Sequence, residues 1–206
     1  VYHLGPGATL WVWYDIWKGN KGEIQEMLRD LIDVLRNDGE RVRFRLFGKE
    51  CEMRRRQLMF GGKKYKFSGK DIPRHEGENP RLVEACMAVA RQLRPGMEEV
   101  NAALVNLYED PGDYISEHQD DESEHKKGAP IFCFSFAPEE VGGTRTLVIK
   151  RKGRKASDPD YVNLRVELPP GSLYIMEGEN FQKEFTHQVP PGKDGERCSV
   201  TCRSFT

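Results

Sequence analysis

The sequence predicts a mainly β, α+β fold: a double-stranded β-helix (jelly roll) with two N-terminal helices packed on one sheet. Three observations carry that prediction. From Asn101 onward, eight short β-rich runs alternate with turn residues. Ahead of them lie two segments with the apolar spacing of amphipathic helices. No repeat, low-complexity linker or break in composition divides the 206 residues, so one domain with a full core is expected. Eight strands in this regime favour two packed sheets.

In chain order, Leu10–Tyr14 is aromatic and extended in character, a first strand. Ile24, Met27, Leu28, Leu31, Ile32 and Leu35 then recur at helical spacing, and Asn37-Asp38-Gly39 closes that helix. Arg41–Phe47 alternates basic and apolar residues up to Gly48, as a hairpin arm does. A second helix is expected to start with Asn79 as cap and Pro80 at its first position. Its apolar stripe is Leu82, Cys86, Val89 and Leu93, and Pro95-Gly96 ends it. The β runs are Asn101–Tyr108, Tyr114–Asp120, Ile131–Phe136, Thr144–Lys150, Tyr161–Leu168, Ser172–Met176, Phe185–Val189 and Arg197–Phe205.

At 37% hydrophobic and 32% charged, the chain has the composition of a soluble globular protein. No apolar run approaches the roughly 20 residues of a membrane-spanning helix, and no charged-then-apolar leader is visible. A net charge of -1 excludes a broadly basic nucleic-acid sponge, although basic residues bunch at Arg54–Arg56, Lys63–Lys70 and Lys150–Lys155. Five scattered cysteines do not form a disulfide framework, so an intracellular, reducing compartment is expected, with nucleus and cytoplasm undivided. Cys198 and Cys202 read as core residues on one strand face.

The chemistry gathers around Glu117-His118-Gln119-Asp120-Asp121-Glu122. In an extended segment His118 and Asp120 leave on the same face. A histidine brought in from elsewhere would complete two imidazoles and one carboxylate, the arrangement of non-haem Fe(II) oxygen chemistry. His3, His75, His125 and His187 are the candidates, and His187, inside a late strand, is the one preferred. His125 lies in a charged stretch that reads as solvated. A local zinc loop of His118, Asp120 and His125 is the alternative, but zinc tends to close its coordination where oxygen chemistry needs open positions.

The last strand adds a second constellation. With period two, Arg197, Ser199, Thr201 and Arg203 share one face, opposite Cys198, Val200 and Cys202. Two guanidinium groups inside a sandwich are costly unless an anion lies between them, and Arg binds carboxylate bidentately. A small dicarboxylate fits. Asn106 and Tyr108 likewise share a face on an earlier strand and would orient a bound acid.

Taken together, Asn106-x-Tyr108, His118-x-Asp120, His187 and Arg197-x5-Arg203 resemble the AlkB family of Fe(II)/2-oxoglutarate-dependent nucleic-acid dealkylases. The run His118-Gln119-Asp120-Asp121-Glu122 is similar to the HxDDE of that family's animal DNA-repair branch. Phe47-Gly48-Lys49, Arg54-Arg55-Arg56-Gln57 and Tyr65-Lys66-Phe67-Ser68-Gly69 resemble the branch's nucleotide-recognition lid, placed at about residues 41–72, with the jelly-roll core at about 100–206. Two departures stand out: Ser199 replaces the usual Asn, and the lid is shorter at Gly61-Gly62.

The resemblance implies that His118, Asp120 and His187 hold iron and form the catalytic centre. It implies that Arg197 pairs with the distal carboxylate of 2-oxoglutarate, with Asn106, Tyr108, Ser199, Thr201 and Arg203 around it. Phe67 would stack on a flipped base opposite His118, with Tyr65 and Glu122 at its polar edge. Phe47 would act as the wedge in a duplex, and Arg55, Arg56, Gln57 and Ser68 complete the substrate side. The implied reaction is oxidative demethylation of N1-methyladenine and N3-methylcytosine in DNA, with the choice between DNA and RNA left open. It uses Fe(II), 2-oxoglutarate and O2, and releases formaldehyde, succinate and CO2. Alkylated DNA or RNA is the expected partner of a monomer without a membrane. Two rival readings are an RNA N6-methyladenine or protein-directed dioxygenase, and a catalytically idle nucleic-acid-binding jelly roll.

Overall fold

The structure is a computed structural model that describes residues 1–62, 66–67, 70–95 and 100–206. In chain order its elements are β1 (Tyr2–Gly5), β2 (Ala8–Trp13), α1 (Lys21–Asp38), β3 (Arg43–Leu46), β4 (Lys49–Glu52), β5 (Arg56–Gly61), β6 (Lys66–Phe67), β7 (Lys70–Asp71) and α2 (Arg81–Leu93). There follow β8 (Ala102–Tyr108), β9 (Ile115–His118), β10 (Ile131–Phe136), β11 (Arg145–Arg151), β12 (Asn163–Leu168), β13 (Ser172–Glu177), α3 (Phe181–Glu184), β14 (Phe185–Val189) and β15 (Arg197–Arg203).

Two antiparallel sheets face each other as a jelly roll. The larger has the order β1-β2-β13-β10-β15-β8-β5 and the smaller β12-β11-β14-β9. Helices α1 and α2 cover the outer face of the larger sheet, where Leu28, Leu31, Leu82 and Cys86 pack on Val105, Phe134, Val200 and Cys202. Fully burying one such leucine is worth about 1.5–3 kcal/mol. A second cluster, including Leu10, Met59, Leu104, Ile131, Leu147, Ile149 and Phe185, fills the space between the sheets.

Strict alternation decides which residues enter that space. On β15, Cys198, Val200 and Cys202 belong to the helix-side cluster, which leaves Arg197, Ser199, Thr201 and Arg203 for the inner face. Pairing with β8 sets Arg197 beside Tyr108 and Ser199 beside Asn106.

All eight expected strands form, with ends shifted by a residue or two. Strand β5 was not expected from the sequence. Its Leu58-Met59-Phe60 is buried on both faces and shows no alternation for a pattern to detect. The second helix begins one residue later than expected: Pro80 sits at the N-cap, and Asn79 Nδ2 donates to Glu84 Oε1 without capping. At the end of α1 the Gly39 N–H donates to the Leu35 carbonyl at 3.0 Å. A Cβ on Gly39 would lie 2.6 Å from that oxygen, which is why a glycine closes this helix.

Candidate metal and co-substrate site

Strands β9 and β14 pair so that His118 lies directly opposite His187, with ring centroids 4.1 Å apart. Asp120 joins them differently from the sequence expectation. Strand β9 ends at His118, so Asp120 lies two residues past the strand end, outside the ladder that pairs the two histidines. One ligand atom from each of the three lies within 4.8 Å of the others. The imidazole Nε2 atoms stand 3.6 Å (His118) and 3.5 Å (His187) from the Asp120 carboxylate. His118 Nδ1 donates to the Ser116 carbonyl at 2.7 Å, which leaves its Nε2 lone pair for a metal.

Electrostatics set the protonation states a metal requires. Burial pushes the Asp120 carboxyl up, but Arg203 and then the neighbouring His118 and His187 imidazoles outweigh it and hold it well below the usual range. Burial, and next the neighbouring His118, push the His187 imidazole below its ordinary value, toward the neutral form. An ionised carboxylate beside neutral imidazole is what a divalent metal binds.

Behind the triad, one cleft is lined by every residue expected to hold the co-substrate: Asn106, Tyr108, Arg197, Ser199, Thr201 and Arg203. The expectation of one anion shared by two arginines needs correction. Arg203 Nη2 lies 2.9 Å from Asp120 Oδ1, so the protein's own carboxylate neutralises it. Asp120 Oδ1 has no hydrogen-bond partner among the described residues, so it keeps a lone pair to offer. Arg197 is the open one. It is 1% exposed, donates from Nε to Ser135 Oγ at 2.9 Å and lies 5.0 Å from the Tyr108 ring centroid. Its Nη1 and Nη2 are buried and have no partner among the described residues.

A buried guanidinium with two unused donors is expensive unless a ligand supplies acceptors. A dicarboxylate that reaches from the metal ligands to Arg197 meets that demand, so the donor set fits Fe(II) and 2-oxoglutarate. The sequence reading missed Arg145, which is buried 5.5 Å from the Tyr108 ring centroid and donates to the carbonyls of Asp110, Pro111 and Asp113. Its signal was present: Arg145 is in phase with Leu147 and Ile149 on a strand whose inner face is apolar.

On the substrate side, Phe47 occupies the tip of the β3–β4 hairpin and is 96% exposed. Both tip residues have left-handed backbone, φ 49° at Phe47 and 78° at Gly48, as a tight hairpin turn requires. Arg55 donates from Nε to Asn106 Oδ1 at 3.0 Å and so ties the root of the lid to the co-substrate cleft. Gln57 is fully buried, and neither atom of its amide has a partner among the described residues. Arg56 departs from expectation. It leaves the opposite face of β5, where it donates to the Gly39 carbonyl and sits 3.5 Å from Glu109. Tyr65 and Ser68 lie outside the described residues, as does the side chain of Phe67.

Glu122 lines a second cavity that meets the cleft at Asp120, together with Gln119, Phe181 and Gln182. His125 lines the same cavity and is partly buried, its Nε2 3.2 Å from the Ala129 carbonyl, so it is not the solvated loop residue expected. The basic run of the β11–β12 turn is largely engaged within the protein. Arg151 pairs with Glu184 at 2.7 Å, Arg154 with Asp160 at 2.9 Å and Lys150 with Glu117 at 3.4 Å. Among the described residues, no helix is long and apolar enough to cross a membrane.

Comparison with known proteins agrees with this geometry. The family model described as the 2OG-Fe(II) oxygenase superfamily matches residues 25–203. The DNA oxidative demethylase ALKBH2 of Homo sapiens is 31% identical over 194 residues, 90% of this chain and 70% of that protein. ALKBH2 of Bos taurus is 31% identical over 197 residues, 90% of this chain and 66% of the relative. The chain thus spans about two thirds of the length of these curated relatives. The solved structure of OsALKBH1 superposes with a TM-score of 0.54 at 17% identity, covering 98% of this chain and 99% of that one, a likeness of fold.

Proposed function

Because the chain belongs to the AlkB branch of the 2OG-Fe(II) oxygenase superfamily, we propose that it removes N-methyl groups from alkylated DNA bases, with N1-methyladenine and N3-methylcytosine as its substrates. The observation that carries the reading is Arg197: a buried guanidinium with two open donors, in the same cleft as a two-histidine, one-carboxylate triad. When bound there, Fe(II) with 2-oxoglutarate and O2 supplies the oxidation that converts the N-methyl group to formaldehyde while the co-substrate becomes succinate and CO2.

The protein's own residues do the rest. His118, Asp120 and His187 would hold the metal, each offering one ligand atom to a common point. Arg203 keeps Asp120 ionised and oriented. Arg197 takes the far carboxylate of the co-substrate, fixed in place by Ser135 and the Tyr108 ring, and Asn106, Ser199 and Thr201 line the path between. On the substrate side, Glu122 stands close to Asp120, and Phe47 projects from the hairpin to fill the gap that an extruded base leaves. A methyl group on the pairing edge prevents base pairing, which lowers the few-kcal/mol cost of extrusion.

The direct test is release of succinate and formaldehyde from methylated oligonucleotides, single- and double-stranded, DNA and RNA. Stoichiometric release from methylated DNA is expected. Absence of release from every substrate, with Fe(II) and 2-oxoglutarate bound, overturns the reading, and release from RNA alone moves the substrate class.

A further inference from the structure

Asp120 has an unusual mechanical problem. Its two partner ligands sit on paired strands, but β9 stops at His118, so no ladder hydrogen bond reaches Asp120. The residue is 2% exposed, and a buried backbone N–H without a partner costs about 1–3 kcal/mol. A side chain solves the problem: the Asp120 N–H donates to Gln182 Oε1 at 2.8 Å. Gln182 belongs to α3, the short turn that leads directly into β14 and His187.

The reverse contact locks the arrangement. Gln119 Nε2 donates to the backbone carbonyl of Gln182, and also to that of Phe185 at 3.3 Å. Gln119 Oε1 accepts from Lys152 Nζ at 2.8 Å, and Gln182 Nε2 reaches Met176 Sδ at 3.5 Å. Phe181, buried within α3, anchors the turn from below. Two glutamines therefore clasp the segment carrying His118 and Asp120 to the segment carrying His187, outside the sheet pairing.

We propose that Gln182 is a positioning residue for the metal centre, fixing Asp120 through its backbone N–H, and that Gln119 holds the turn from which Gln182 acts. The proposal rests on the metal-holding role of the triad and is independent of which base is the substrate. Residues that orient metal ligands typically account for 10–100-fold in metal affinity.

The test is Mn(II) titration of the metal-stripped chain, followed by the electron paramagnetic resonance of free Mn(II), without co-substrate or nucleic acid. Gln182→Met keeps the size and removes the acceptor, and it is expected to weaken binding by about 10–100-fold. Gln182→Glu keeps an acceptor at the same distance and is expected to stay within a few-fold of wild type. Wild-type affinity in Q182M, or equal loss in Q182M and Q182E, overturns the proposal. The d–d spectrum at Co(II) saturation separates positioning from general loosening: a displaced Asp120 shifts the bands, and unshifted bands in Q182M overturn the positioning role. Should Q182M not fold, Gln119→Met carries the test with a smaller loss expected, and unchanged affinity there overturns it. His187→Ala serves as the control for the triad itself: wild-type Mn(II) binding in that variant would remove the premise, a failure distinct from that of the clasp.

Discussion

The cleft between the sheets and the β3–β4 hairpin are joined through Arg55 and Asn106, yet they are built on opposite principles. In the cleft, position comes from ladder register and from buried charge: His118 faces His187 across a strand pair, and Arg203 is matched to Asp120. The hairpin has two strands and exposed ion pairs, Arg43 with Glu50 at 3.8 Å and with Glu52 at 3.9 Å, of the kind worth under about 1 kcal/mol. Its tip holds Phe47 in open solvent. The cleft must be right before any substrate arrives, whereas the hairpin, on the proposed reading, meets its partner only when nucleic acid is present. Mutations should therefore separate into losses of chemistry or folding on one side and losses of substrate preference on the other.

The largest expected effect tests the cleft. His187→Ala removes one of three ligands, and succinate release should fall to background with or without nucleic acid. Normal turnover would sink the triad. Next comes the joint between the regions. Asp113 is fully buried, accepts from Arg41 at 2.6 and 2.9 Å and takes the Glu109 N–H at 2.8 Å. Burial pushes its carboxyl up, but the Arg41 hydrogen bonds and the backbone donors outweigh that, and the net position is below the ordinary value.

A carboxylate depressed in the folded state contributes stability above its unfolded pKa of about 4 and loses it as pH falls through the lower folded value. Asp113→Ala should cost, by denaturant melts at pH 7, near the low end of the roughly 3–5 kcal/mol seen when a buried pair is broken, because Arg41 still reaches Glu109. The difference between variant and wild type should shrink as pH falls through the acid range. A pH-independent difference would show that the ion pair is not its source.

Much of this division was legible in the sequence. His118 and His187 could be read because each sits in a short strand with clear turn signals. The faces of β15 could be read because Arg197, Ser199, Thr201 and Arg203 alternate with Cys198, Val200 and Cys202. What could not be read depends on contacts between distant segments. Asp120 joins the two histidines from beyond a strand end, its N–H bound to Gln182, a residue in a four-residue turn with no periodicity. Asp113 follows Pro111-Gly112 and looks like any turn aspartate, although it gathers the arginines at the base of the lid. The separate partners of Arg197 and Arg203 were equally hidden, since identical side chains on one face carry no mark of which already has a counter-charge.

Arg197→Met sharpens the cleft from within. It removes one buried charged donor set without touching a metal ligand. A hydrogen bond to a charged group contributes about 1.5–3 kcal/mol, so the apparent affinity for 2-oxoglutarate should fall by about 10–100-fold. Steady-state kinetics at varied co-substrate should place most of this loss in KM. An unchanged KM for 2-oxoglutarate would mean that the open donors of Arg197 serve another ligand.

The smallest effect on the protein itself, and the one that probes the hairpin alone, is at Phe47. The side chain is 96% exposed, so Phe47→Ala should leave stability within about 0.5 kcal/mol. Phe47→Gly relieves a left-handed backbone, φ 49°, that a non-glycine residue adopts at a cost, and should melt slightly higher, by the equivalent of about 0.4–1 kcal/mol. Both variants lose the ring. If the ring fills the gap left by an extruded base, both should lose activity on duplex DNA by about tenfold, near the low end of the roughly 1–3 kcal/mol of a stacked aromatic. Single strands, which have no gap to fill, should be turned over as before. Using two substitutions with different effects on the hairpin's stability keeps folding out of the comparison. Equal losses on single- and double-stranded substrates would remove the wedge and leave Phe47 as an ordinary contact.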